Sequence, residues 1–221
     1  MFLGHFAIAF GAKRAAPKTS LGTLFFAAQF ADLLWAVLLL AGLEKADIVP
    51  GFTRVTPVDF ISYPYSHSLV AQLIWGTGIG LVYWGVRRDK SGAIVMALCV
   101  PSHWLLDYVA HRPDMPFSPG GGRYGLGLWN SVPATLAVEI GLFLAGSALY
   151  LKGTRVKDRI APYLLWSLPV LLVVVYIGSV FGPPPPDVKV LATTTSAIWL
   201  TIPWATWADR HRSVLHLRPD K

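Results

Sequence analysis

Apolar residues run in long blocks along this chain, separated by short stretches that are either basic or rich in Pro and Gly. A helix needs about 20 apolar residues to cross a bilayer. Six blocks meet that length: 20–43, 67–86, 92–110, 131–151, 162–181 and 188–208. The block at 2–11 is too short, because ten residues of helix rise only about 15 Å. It predicts a re-entrant or interfacial N-terminal helix. Lys13, Arg14 and Lys18 follow this block instead of preceding it, so it does not read as a secretory signal peptide and is expected to be retained. The predicted fold is all-α: a polytopic membrane helical bundle of about six transmembrane helices plus the short helix. It forms a single integral membrane domain over 1–221, with no soluble domain and no internal repeat.

Composition agrees. Of 221 residues, 54% are hydrophobic and 14% charged, where a soluble domain carries about a quarter charged. The net charge of +7 does not point to nucleic acid, because the cations sit in short loops between apolar blocks. Lys13, Arg14 and Lys18 precede the first long block. Arg87, Arg88 and Lys90 follow the second, and Lys152, Arg155, Lys157 and Arg159 follow the fourth. Arg210, Arg212, Arg218 and Lys221 end the chain. Every second loop is basic, which predicts a membrane protein with both termini cytoplasmic. The alternate loops at 44–66 and 111–130 are long and rich in Pro, Gly and aromatics, which suggests a functional cover. Trp35, Trp75, Trp84, Trp104, Trp129 and Trp166 read as interface anchors. Gly76, Gly78 and Gly80 read as close packing. Cys99 stands alone and forms no internal disulfide.

Six ionisable residues interrupt or end the apolar blocks: His5, Asp32, His67, His103, Asp107 and Glu139. Such groups are costly in lipid and mark sites or ion pathways. His103 and Asp107 are four residues apart. On a helix this is about 40° of rotation and 6 Å of rise, so both can reach one ion. Imidazole and carboxylate suit zinc, with manganese or iron tolerated. His111 lies about 12 Å above His103 along the same helix. It is expected to support the site, to hold a second metal or to transfer protons. His67 lies between Ser66 and Ser68, so a helix-capping role competes with a ligand role. A buried Asp32 must be paired, protonated or bound to a cation. Glu139 is a candidate ligand or general base. Arg112 and Arg123, at the outer mouth, could receive an anionic headgroup.

Gly4-His5, the late Asp32 of the first long block, Ser66-His67-Ser68 and Ser102-His103 with Asp107 occur in an order that resembles the LexA-regulated inner-membrane metal-dependent hydrolases, the YdjM-like family. The resemblance covers about 1–112. It implies a metal role for His5, Asp32, His67, His103 and Asp107, and a hydrolase activity. Family members often carry Pro-Asp followed by a second acidic residue. Here Ala31 precedes Asp32 and Leu33 follows it, so one carboxylate is missing, which Glu139 or Asp114 would have to replace. Residues 113–221 carry no motif that aligns. The expectation is a membrane-embedded hydrolase that uses a divalent metal, zinc, to activate water against a lipid or amphipathic ester or phosphoester. Asp32 or Glu139 would be the base, with Ser66, Ser102 and His111 supporting the ligands. The bilayer itself is the expected partner. A proton or metal-ion transporter and a structural membrane protein are the rival readings.

Overall fold

A computed structural model describes residues 1–215, apart from the side chains of residues 164 and 165. Arg218 and Lys221 lie outside the described residues. The chain is a helical bundle. Among the described residues four helices are long and apolar enough to cross a membrane: α5 (Leu69–Arg87), α6 (Lys90–Ala110), α7 (Val132–Gly153) and α8 (Ala161–Phe181). They begin and end within a few residues of four of the predicted blocks. In chain order, α1 is Leu3–Ala12, α2 is Leu21–Ala28, α3 is Phe30–Leu40 and α4 is the single turn Pro64–His67. After α8 come α9 (Val188–Thr195) and α10 (Thr201–Arg210).

The expected six spans become four, or five if a bent pair counts as one. The block at 20–43 breaks at Gln29 into α2 and α3, whose axes differ by 57°. The block at 188–208 breaks into α9, the 3-10 turn Ser196–Leu200 and α10. Thr193, Thr194 and Ser196 each turn a hydroxyl back onto a carbonyl four residues earlier. Such back-bonding competes with the helical ladder.

The short N-terminal helix is not interfacial. α1 packs against α7, α2 and α6, and Leu3, His5, Phe6 and Phe10 are all buried. Phe6 and Phe10 both meet Phe25 edge-on, with ring centroids 5.0 and 5.2 Å apart. A helix that is apolar all round has no face to give to water, so it goes inside. Gly146 of α7 lies directly against the backbone of Ala7, and a methyl group there would overlap it.

α5 and α6 form an antiparallel pair joined at Arg88-Asp89. Gly76 and Gly80, four apart, lie against the carbonyls of Ala97 and Ala93, whereas Gly78 faces open space. The close approach thus uses helical four-residue spacing and not all three glycines. Pro101 has no N–H to give Ala97, and this freed carbonyl is the one that Gly76 meets.

The basic segments gather at one end of the bundle. Lys13 Nζ donates to Asp209 Oδ2 at 2.6 Å and to the Thr19 carbonyl at 2.8 Å, while Tyr150 donates to Asp209 Oδ1 at 2.9 Å. Arg212 is buried and donates to Thr154, where the ribbon β5 (Thr154–Val156) pairs with β6 (Arg212–Val214). At the other end, β1 (Lys45–Ile48) pairs with β2 (Val58–Ser62), and β3 (Met115–Pro116) pairs with β4 (Arg123–Tyr124). Sequence patterning did not predict these ribbons. Met1 lies inside the bundle, away from the basic end that Lys13 reaches.

Gly146→Val should lower stability by about 2 kcal/mol, the usual cost of overpacking. Gly78→Val, on the open side of α5, should change it little. Thermal melting of the detergent-purified variants checks the contrast.

Candidate metal centre

Asp107, in the last turn of α6, is 2% exposed. Its Oδ1 receives the amino group of Met1 and lies 3.1 Å from His5 Nε2. Its Oδ2 lies 3.2 Å from His103 Nε2, 3.8 Å from His67 Nε2 and 3.9 Å from His111 Nε2. Asp32 Oδ1 is 3.5 Å from His67 Nε2 and 3.7 Å from His103 Nε2. The rings of His5 and His103 stack at 3.5 Å with planes 4° apart. All five residues that the resemblance assigned to metal therefore meet in one place. They form two overlapping groups, His5–His103–Asp107 and Asp32–His67–His103, within each of which the ligand atoms lie within 4.8 Å of one another.

Local structure explains each placement. Glu139 Oε2 accepts from the N–H groups of Phe2, Leu3 and Gly4 at 2.8, 2.7 and 3.4 Å. These are donors a helix start leaves without partners, and an anion suits that end. Glu139 thus anchors α1 and sets His5 one turn in. Its Oε2 is committed to backbone and not to the His103 neighbourhood, which counts against the general-base expectation. His67 ends the single turn α4, which Pro64 opens. Ser68 caps α5, accepting from Ala71 N. His67 is thus both next to a cap and at the cluster.

The partners of the outer ring nitrogens decide what faces inward. His103 Nδ1 lies 2.9 Å from the Ala28 carbonyl. A carbonyl only accepts, so Nδ1 carries a proton, and in the neutral ring that a metal ligand must be, Nε2 carries the lone pair. The break after α2 is what leaves this carbonyl available, since the last carbonyls of a helix lack partners within it. Ser66 Oγ donates to Glu44 Oε2 at 2.6 Å and accepts from His67 Nδ1 at 2.7 Å, which leaves the lone pair of His67 on Nε2. His111 Nδ1 donates to Asp114 Oδ1 at 2.9 Å, and Tyr63 donates to the same oxygen at 3.1 Å. Three imidazoles thus aim lone pairs at two carboxylates. Fixing a ligand histidine through its other nitrogen is the usual support of a metal site.

Lone pairs facing carboxylates repel unless positive charge lies between them. His103 Nε2 and His5 Nδ1 are buried with no hydrogen-bond partner among the described residues. One tetrahedral ion at about 2.0–2.1 Å from each ligand spaces its ligands about 3.3 Å apart. The observed separations bracket that figure. An imidazole nitrogen has one lone pair, so His103 serves one of the two overlapping groups at a time.

Other expectations fare differently. Ser66 supports His67 as expected, but Ser102 turns away and donates to the Cys99 carbonyl at 2.7 Å. His111 reaches Asp107 despite its height on the helix. Arg112 stacks on Phe52 and pairs with Asp114, and Arg123 donates to the Ile61 carbonyl. Neither arginine lines the cavity into which Asp32, His67, Asp107 and His111 open. Glu44 was missed by sequence reasoning. Its only signal was a carboxylate at the end of an apolar block.

Ser66→Ala should weaken metal affinity roughly tenfold, as loss of a support for a ligand does. Ser102→Ala should leave it unchanged. Metal titration of the two purified variants distinguishes the roles. No protein-family model, no curated protein and no solved structure matches this chain, so the case for its function rests on this geometry and on the resemblance of its motifs.

Proposed function

We propose that the chain is a membrane-embedded metal-dependent hydrolase acting on an ester or phosphoester of a membrane-resident amphiphile. The observation that carries this reading is the convergence of imidazole lone pairs on Asp107 and Asp32. The resemblance to the YdjM-like family supports it. His67, His103 and Asp107, completed by Asp32 or His5, would hold one divalent ion, and the nitrogen-rich donor set favours zinc. An ion bound there polarises a carbonyl or phosphoryl oxygen and lowers the pKa of a coordinated water toward neutrality.

The chain's own groups do the rest. Asp32 is the more open carboxylate, with its side chain 21% exposed against 3% for Asp107. It borders the cavity, where it can orient a water and accept its proton. Glu44, Ser66, Asp114 and the Ala28 carbonyl hold the rings in place. By the positive-inside rule the basic end faces the cytoplasm of a bacterial cell, and the cluster lies toward the opposite face of its plasma membrane.

An ion pathway would need polar groups continuing toward the basic end. Below His5 stand Phe6, Phe10, Phe25 and Phe143, all buried. This closed floor favours a hydrolase over a transporter.

Detergent-purified protein should hold about one equivalent of zinc, and His103→Ala and Asp107→Ala should lose it while remaining folded. Release of product from lipid esters or phosphoesters should stop on chelation and return with metal. Wild-type protein that binds no divalent ion, even after reconstitution, would overturn the reading.

A further inference from the structure

The cluster opens into a cavity of about 570 Å³, within the ordinary range for small-molecule sites, roughly 300–1,000 Å³. Its ionisable groups are confined to one end. Beyond Asp32, His67, Asp107 and His111, the walls are carried by residues such as Leu171, Leu172 and Val175 of α8 and Leu191, Ile198 and Leu200 of the broken segment. Three of the four hydroxyls in the wall are spent locally. Ser179 donates to the Tyr176 carbonyl, Thr194 to that of Val190 and Thr201 to that of Ile198. Apart from the Trp204 indole N–H, which has no partner among the described residues, the long part of the cavity offers a ligand mostly hydrocarbon. No Lys or Arg is among the described lining residues, so a soluble polyanion finds no counter-charge away from the cluster.

The mouth faces the bundle's apolar exterior. Leu171, Val175 and Leu200 line the cavity and are also 38%, 47% and 69% exposed. A lipid tail alongside α8 can slide in without crossing water. Near the cluster end stands Trp35, only 5% exposed, its ring 6.1 Å from that of His67. It is no interface anchor. Its Nε1 is buried without an acceptor among the described residues. An indole N–H only donates, and leaving it unmet inside a protein is costly.

We propose that this cavity binds one hydrocarbon chain of a membrane lipid, and that Trp35 Nε1 donates to the carbonyl or phosphoryl oxygen at its head. The first half of the chain then supplies the metal ligands, and the second half supplies most of the walls that hold the lipid tail. The hydrolase reading says what is cut; the cavity assignment says what is bound, and it can be tested without turnover.

The probe is a non-hydrolysable single-chain ether phospholipid with a photoreactive group on its tail, added to full-length protein in nanodiscs. Crosslinks should concentrate in the peptides covering 171–175 and 191–200. Thr195→Trp and Val175→Trp, which fill the cavity and its mouth, should abolish them. Leu144→Trp, on the exposed face of α7, should not. Trp35→Phe should keep its metal and bind the probe roughly fivefold more weakly, the worth of about one hydrogen bond. Crosslinks spread evenly over exposed helix faces and unaffected by the filling variants would mean boundary lipid only, and would overturn the cavity assignment. Unchanged affinity in Trp35→Phe would remove Trp35 from the head site. Specific crosslinks without hydrolysis of any ester would sink the hydrolase reading and leave the cavity assignment standing.

Discussion

A buried carboxylate at the end of α6 is the constraint that organises this protein. Asp107 is almost fully removed from solvent and occupies the last helical turn, where the helix dipole already places partial negative charge. An ionised group there is tenable only if positive charge or strong donors surround it. The fold brings one such donor directly, the amino group of Met1, and aims at the same carboxylate the rings of His5, His67 from α4, and His103 and His111 from α6, whose inward lone pairs leave room for a cation among them. The burial of α1 serves the same end, since only a helix driven into the centre can carry His5 to Asp107. Glu139 makes that burial tolerable by receiving the helix's unmet N–H groups.

The irregular backbone follows from the same constraint. Interrupted helices at membrane depth persist where their freed polar groups are met inside the protein or line a cavity. Both interruptions here border the site. The one at Gln29 yields the Ala28 carbonyl that fixes His103. The one after Thr195 gives the cavity wall its Ile198 and Leu200. A straight span through Gln29 would have committed the Ala28 carbonyl to its own helix and taken it from His103.

These features were unequally legible in the chain. α5 to α8 could be read because hydropathy alone decides a span of that length. The cluster could be read because each imidazole or carboxylate in an apolar block needs a reason to be there. The burial of α1 could not, since a helix without a polar face gives no clue to which side it packs. Gly76 and Gly80 were hidden by Gly78, which breaks no rule and touches nothing. Glu44 reaches Ser66 across 22 residues and Glu139 reaches Leu3 across 136. No local pattern encodes such long-range pairings. Arg112 and Arg123 looked available because exposed-loop cations usually are, yet the loops fold back and engage both.

The orientation of the rings bears on what the cluster can do. A proton relay needs groups that alternately donate and accept along a path. Here His67, His103 and His111 each have their Nδ1 proton engaged outward, by Ser66, the Ala28 carbonyl and Asp114. What they present inward are acceptors, facing two more acceptors. A proton taken up on an inward Nε2 would have to leave through Nδ1, and for His103 the outer partner is a carbonyl, which cannot carry it on. A resident cation needs no such exit, because one divalent charge among His67, His103 and Asp107 meets their inward lone pairs and offsets the carboxylate where it sits. The missing exit behind His103 is the physical reason to prefer a resident ion over a travelling one.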